Sequence, residues 1–302
     1  MPAAPTSGKP RIVVGIDFSP ASRVALDAAT DLAKRLGASL VVVHGVSADQ
    51  PPDRRPASKL RARLEDFTEQ EALRRAGTWV RDARKSGVTV SIVVSPRRPV
   101  EAVLAESRRD CQAIVVGTTG KSPVRQAFLG SVAQGVLRKS KVPVLVVPLR
   151  IATSVLPSQR VLLVPVGFDA GDGKVFQAAV QLAKDIKCRV RALHVVPLPS
   201  QTLVPYAGVE FLGEWLVADE EDALRRLAEM ASSARAAKVG VVPSVQVGHP
   251  ASVILAEARQ SGAHMVVMGT RRKTRAQRLF LGSVAQTVVQ FADRPVLVVP
   301  LA

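Results

Sequence analysis

Five largely apolar runs punctuate the first half of the chain, at residues 12–16, 40–43, 88–94, 113–116 and 144–147. Such β-branched, nearly continuous runs are the pattern of parallel strands covered on both faces. Between them lie helical stretches. In 22–36, Val24, Ala25, Ala28, Leu32 and Leu36 fall at helical spacing, and 59–85 forms a second stretch. The second half repeats the scheme, with strands predicted at 161–166, 190–196, 241–247, 265–268 and 296–299. Strand, helix, strand in strict alternation implies right-handed crossovers, hence an α/β fold of two tandem open parallel sheets, each five-stranded and Rossmann-like. The irregular segment 197–213, with Pro197, Pro199 and Pro205, predicts a helix only from about Ala218. Its polar counterpart, 48–56, also follows a second strand, and both read as surface loops, with a lid over the sheet's carboxyl edge as the alternative.

The halves are copies of one unit. Gly117-Thr118-Thr119-Gly120, nine residues, then Gly130-Ser131 returns 152 residues later as Gly269-Thr270-Arg271-Arg272, nine residues, Gly282-Ser283. Residues 128–134 recur letter for letter at 280–286, and 143–149 at 295–301. Domains are therefore expected at 1–150, with an intact glycine loop, and 151–302, with a degenerate one, joined by a short linker at 150–159.

Charge changes the picture little. The net +17 is uneven, with 25 Lys+Arg against 13 Asp+Glu in residues 1–150 and 17 against 12 in the rest. Such a field attracts polyanions, nucleotides included. Aromatic residues are only 4% of the chain and no nucleic-acid module is recognisable, so a solvated Arg-rich surface is the favoured reading and specific nucleic-acid binding is not expected. Cys111 and Cys188 occupy non-equivalent places with no ligand spacing around them, which argues against a disulfide or zinc site. No apolar run reaches the ~18 residues of a membrane span, and the first ten residues have no secretion-type apolar stretch; a cytoplasmic protein without membrane contact is expected.

The candidate chemistry sits in the first copy. Gly117 ends the fourth strand, where a glycine lets a phosphate approach the backbone. Gly130-Ser131 opens a helix whose unpaired N–H groups suit an anion, although Ser131 can equally be a plain helix cap. Lys121 and Arg125 add cations between them. Asp17, at the end of the first strand, faces this loop across the sheet's switch point and can accept hydrogen bonds from a base or ribose; the plainer alternative is a cap for the helix starting near Pro20. A Walker loop is excluded because position 115, where its first glycine belongs, is Val115. No nucleophile set is evident.

The spacing G-x2-G-x9-G-[S/T] after a hydrophobic strand resembles the nucleotide loop of the universal stress protein family, and the likeness extends over residues 11–149 and 160–301. It implies an adenine nucleotide alpha hydrolase-like fold with strand order 3-2-1-4-5 and ATP, with or without Mg2+, as the ligand. Carried across, it assigns Asp17 to the base and Val116, Gly117, Gly120, Lys121, Gly130, Ser131 and Val132 to ribose and phosphates. Gly45, after His44, stands where the family packs an apolar side chain on adenine, which implies a looser pocket. His44 recurs as His194, as a structural residue would. Aligning the first strands on Arg11 and Arg160 puts Val166 at the place of Asp17, and Arg272 replaces Gly120, so the second copy is expected not to hold ATP.

The function so implied is an ATP-binding stress-response regulator with an unidentified protein partner, and at most a slow ATPase. The alternative is a non-nucleotide scaffold that binds partners through a basic surface. The identical final strands lead to an expected intramolecular pseudo-dimer through 143–149 and 295–301, with a homodimer as the alternative.

Overall fold

The computed structural model describes residues 9–46, 58–108, 110–118, 129–149, 160–198, 209–270 and 281–301. The chain divides into two units, Met1–Leu149 and Arg150–Ala302. Unit 1 runs β1 (Arg11–Gly15), α1 (Pro20–Leu36), β2 (Ser39–Gly45), α2 (Ser58–Trp79), α3 (Arg81–Lys85), β3 (Val90–Ser95), α4 (Pro99–Glu106), β4 (Cys111–Gly117), α5 (Ser131–Lys139) and β5 (Val144–Val147). All its strand pairs are parallel, in the order β3-β2-β1-β4-β5. Unit 2 runs β6 (Val161–Pro165), α6 (Asp172–Ile186), β7 (Arg189–Val196), α7 (Val209–Ser233), β8 (Val241–Val247), α8 (Pro250–Gln260), β9 (Met265–Gly269), α9 (Ser283–Phe291) and β10 (Val296–Val299). Its parallel order is β8-β7-β6-β9-β10.

The inner strands are buried on both faces, which explains their unbroken apolar runs: Ile12, Val13, Val14, Leu40, Ile114 and Val115 are all within 2% of full burial, whereas β3 and β8 are partly exposed and carry polar residues. In α1, Ser19 accepts the N–H of Ser22 at 3.2 Å, Pro20 begins the helix, and Gly37 closes it at φ 61. Two expectations need correction. The stretch 59–85 is two helices, because the buried Val80 turns to ψ 0 between α2 and α3. The long helix of unit 2 starts at Val209, nine residues before Ala218, and carries Gly213 within it. Segment 48–56 lies outside the described residues. Among the described residues no helix is long and apolar enough to cross a membrane.

Unit 2 buries a carboxylate. Glu257 of α8 is 4% exposed; its Oε1 accepts from Arg191 Nη1 at 2.8 Å and its Oε2 from Gln246 Nε2 at 2.5 Å, so the carboxylate ties α8 to β7 and β8. In unit 1 Glu106 pairs instead with Arg11 of β1 at 3.4 Å, with both side chains partly solvated.

A second difference concerns the end of β2. A Cβ on Gly45 would lie 2.8–2.9 Å from Pro99 Cα, Arg97 O and Pro99 N, so the backbone between β3 and α4 lies directly against it. In unit 2 the matching register places Val195 at this position, and the connection after β8 passes through Gly248 at φ +147, a conformation open to glycine. The looser pocket expected at Gly45 is therefore not found on this side: backbone fills the space a side chain would take.

Burial pushes the Cys111 thiol up to about 11 from 9.0, against smaller opposing effects of backbone hydrogen bonds and Arg11. Its Sγ also faces Ala113 O at 3.2 Å. A thiol that stays protonated is a poor nucleophile. Cys111 is expected to react with a disulfide reagent at pH 8 only when urea unfolds the chain, and rapid labelling of the native protein would contradict this. The sign follows: the folded thiol holds its proton more tightly than the unfolded one, so this contribution to stability is intact below pH 9 and is lost as pH rises through about 11.

Candidate functional site

In unit 1 the chain leaves β1 toward β2 on one side, while β4 connects onward to β5 on the other, so the carboxyl ends of β1 and β4 flank the switch point where open α/β sheets take ligands. Asp17 stands just beyond β1, half-buried. Its Oδ1 accepts the N–H of Ser19 at 3.0 Å, while its own N–H points to Ser22 Oγ at 3.3 Å. Ser19 caps α1, so Asp17 is not the helix cap but the carboxylate of the turn before it. Its second oxygen has no partner among the described residues.

Across the crevice, buried Val116 leads to Gly117. Thr118 donates to Val147 O at 3.0 Å, and its carbonyl receives the N–H of Gly130 at 2.5 Å, which pins together the two ends of the intervening loop. Gly120 and Lys121 lie in that loop, outside the described residues. Gly117 has a packing reason of its own: a Cβ there would meet Ala21 O at 2.8 Å, so only glycine admits α1 this close. The N-cap of α5 is Gly130, and Ser131 is the first helical residue, exposed and making no capping bond. This corrects the reading of Ser131 as a cap. Gln134 N–H bonds Gly130 O, while the N–H groups of Ser131, Val132 and Ala133 have no acceptor among the described residues. Three such donors at the positive end of a helix form an anion-binding surface.

The same place in unit 2 is built differently. β6 pairs with β7 from Val161, as β1 pairs with β2 from Arg11. Val166 then matches Ile16, for each donates to a β7 or β2 carbonyl and each carbonyl meets the following strand's histidine. Gly167, not Val166, therefore stands at the place of Asp17; the paired arginines 11 and 160 misplace the register by one residue. The carboxylate is lost all the same. Asp172 Oδ2 accepts both the Gly167 N–H, at 2.7 Å, and the Asp169 N–H, at 3.0 Å. One side chain thus does the turn-holding work that Asp17 and Ser22 share in unit 1. Arg272 lies outside the described residues.

Sequence reasoning missed the residue after Asp17. Phe18 sits at φ 61, a left-handed conformation uncommon for a bulky side chain, and its ring lies 4.7 Å from the His44 ring, 5.3 Å edge-on from Trp79, and 4.4 Å beneath the Arg75 guanidinium. His44 Nδ1 lies 2.8 Å from Ile16 O; a carbonyl only accepts, so this nitrogen carries the proton. Phe168 repeats the stack at φ 61, 4.5 Å from His194 and 3.9 Å below Arg226. The signal was available: the Phe–His spacing is the same in both copies.

The family model described as "Universal stress protein family" matches residues 10–148 and 159–300. A universal stress protein of Methanocaldococcus jannaschii is 34% identical over 122 residues, 40% of this chain and 70% of its own. One from Mycobacterium tuberculosis is 27% identical over 295 residues, 95% of each chain, while two from Mycobacterium bovis are matched over about half of their length. Among solved structures, a universal stress protein from Archaeoglobus fulgidus superposes with a TM-score of 0.68 at 20% identity, covering 96% of each chain, which shows a shared fold.

Proposed function

Because the chain belongs to the universal stress protein family, we propose that unit 1 binds one ATP and that the protein is a cytoplasmic stress-response regulator working through that occupancy. The carrying observation is the pairing, at one switch point, of a carboxylate with an open oxygen on Asp17 and three unpaired N–H groups at the start of α5. The carboxylate suits the exocyclic amine of adenine, and the N–H groups of Ser131 and Val132 beside Gly130 suit phosphate oxygens. Between them the backbone at Val116 and Gly117 is the surface left for ribose, and Gly120 and Lys121 are assigned to the phosphates. Mg2+, when present, rides on the phosphates. None of these residues is a base aimed at water, so turnover is at most slow.

Unit 2 offers glycine at 167 and arginine at 272 in place of the two key groups, so titration calorimetry is expected to give close to one ATP per chain. A stoichiometry near two would mean that these losses are not disabling. No binding at all would favour the basic scaffold instead.

A further inference from the structure

The aromatic stack beside Asp17 differs between the units in one respect that bears on a ligand. In unit 2, Arg226 lies on Phe168 and is also held by Asp222 at 3.7 Å. The residue in the place of Asp222 in unit 1 is Glu71, and both its oxygens are taken by Arg74, through Nε and Nη2 at 2.8 Å each. Arg75 lies on the Phe18 ring, exposed; Glu71 acts on it through its charge alone, and no carboxylate among the described residues reaches it at ion-pair distance.

We propose that Arg75 is a further nucleotide contact: its guanidinium, backed on one face by Phe18, offers the opposite face to the adenine ring of ATP. The inference rests on the nucleotide reading of unit 1. A guanidinium is planar, weakly hydrated and stacks on aromatic faces, which makes it a platform for a base in a way an ammonium is not. Phe18 holds it in place before the ligand arrives, so little side-chain freedom remains to be lost on binding. Phe18 in turn is fixed by His44 and by the edge of Trp79. Asp17 and Phe18 are consecutive, so the group that reads the edge of the base and the group that supports its face are set by one short turn. In unit 2 the stack persists, but Gly167 removes the edge contact and Asp222 binds the cation.

The test uses the full chain with Arg75→Met and Arg75→Lys, titrated with ATP and with inorganic triphosphate. Both variants should bind ATP about 10-fold more weakly, at the low end of base stacking on a side chain, and triphosphate as the wild type does. Arg226→Met should bind both as the wild type does. The lysine variant keeps the charge and serves where methionine perturbs folding, checked by circular dichroism. Wild-type ATP affinity in both Arg75 variants overturns this inference alone, as does an equal loss for triphosphate, which would mean a phosphate contact. A wild type that binds no ATP overturns the nucleotide reading and this contact with it.

Discussion

Arg191→Ala is expected to cost unit 2 about 3 kcal/mol of unfolding free energy, because it strips the cation from a carboxylate that is itself buried. Glu257 would keep only the Gln246 amide at 2.5 Å and the α8–β7 tie would be gone. Glu257→Gln is the informative companion. It removes the charge along with the need for a cation, so it should cost clearly less than Arg191→Ala. The measurement is the urea midpoint followed by Trp215 fluorescence in a Trp79→Phe background, which confines the signal to unit 2. A shift below about 1 kcal/mol for Arg191→Ala would show that the carboxylate is satisfied some other way.

The second large effect separates two jobs of Asp17. Asp17→Gly should weaken ATP binding by about 10- to 100-fold, the value of hydrogen bonds to a charged group, and should also cost about 1 kcal/mol of stability because the Ser19 N–H loses its acceptor. Adding Ser22→Asp copies unit 2, where Asp172 accepts both turn N–H groups. The double variant should therefore regain stability and stay deficient in ATP binding. Recovery of both would mean that Asp17 acts only by holding the turn.

Much of the fold was legible in the chain because the inner strands are enclosed on both faces: runs such as Val144–Val147 and Val296–Val299 admit no polar position and so stand out. The start of α7 was hidden, since the prolines at 199 and 205 and a glycine at 213 read as a loop while the helix simply carries the glycine. The candidate site was legible as residue types, and less so as roles. Glycine 130 rather than serine 131 caps α5, a distinction of one residue that local propensity does not resolve. The register slip between Asp17 and Val166 arose because Arg11 opens β1 whereas Arg160 precedes β6, and the true markers are the histidines that bond Ile16 O and Val166 O. Arg75 was invisible for another reason: it lies 58 residues from Asp17 and meets the site only through the ring of Phe18.

The exchange at the end of the second strands constrains how one copy can have diverged from the other. A valine at 45 would collide with the Arg97 carbonyl while the connection keeps its unit 1 course, and an arginine at 248 would be forced to φ +147 on the unit 2 course. Neither change is tolerable first. The passable intermediate carries glycine at both positions, so the two substitutions form an ordered pair, and a chimaera of the two copies must not combine the valine of the second copy at position 45 with the arginine of the first at position 97.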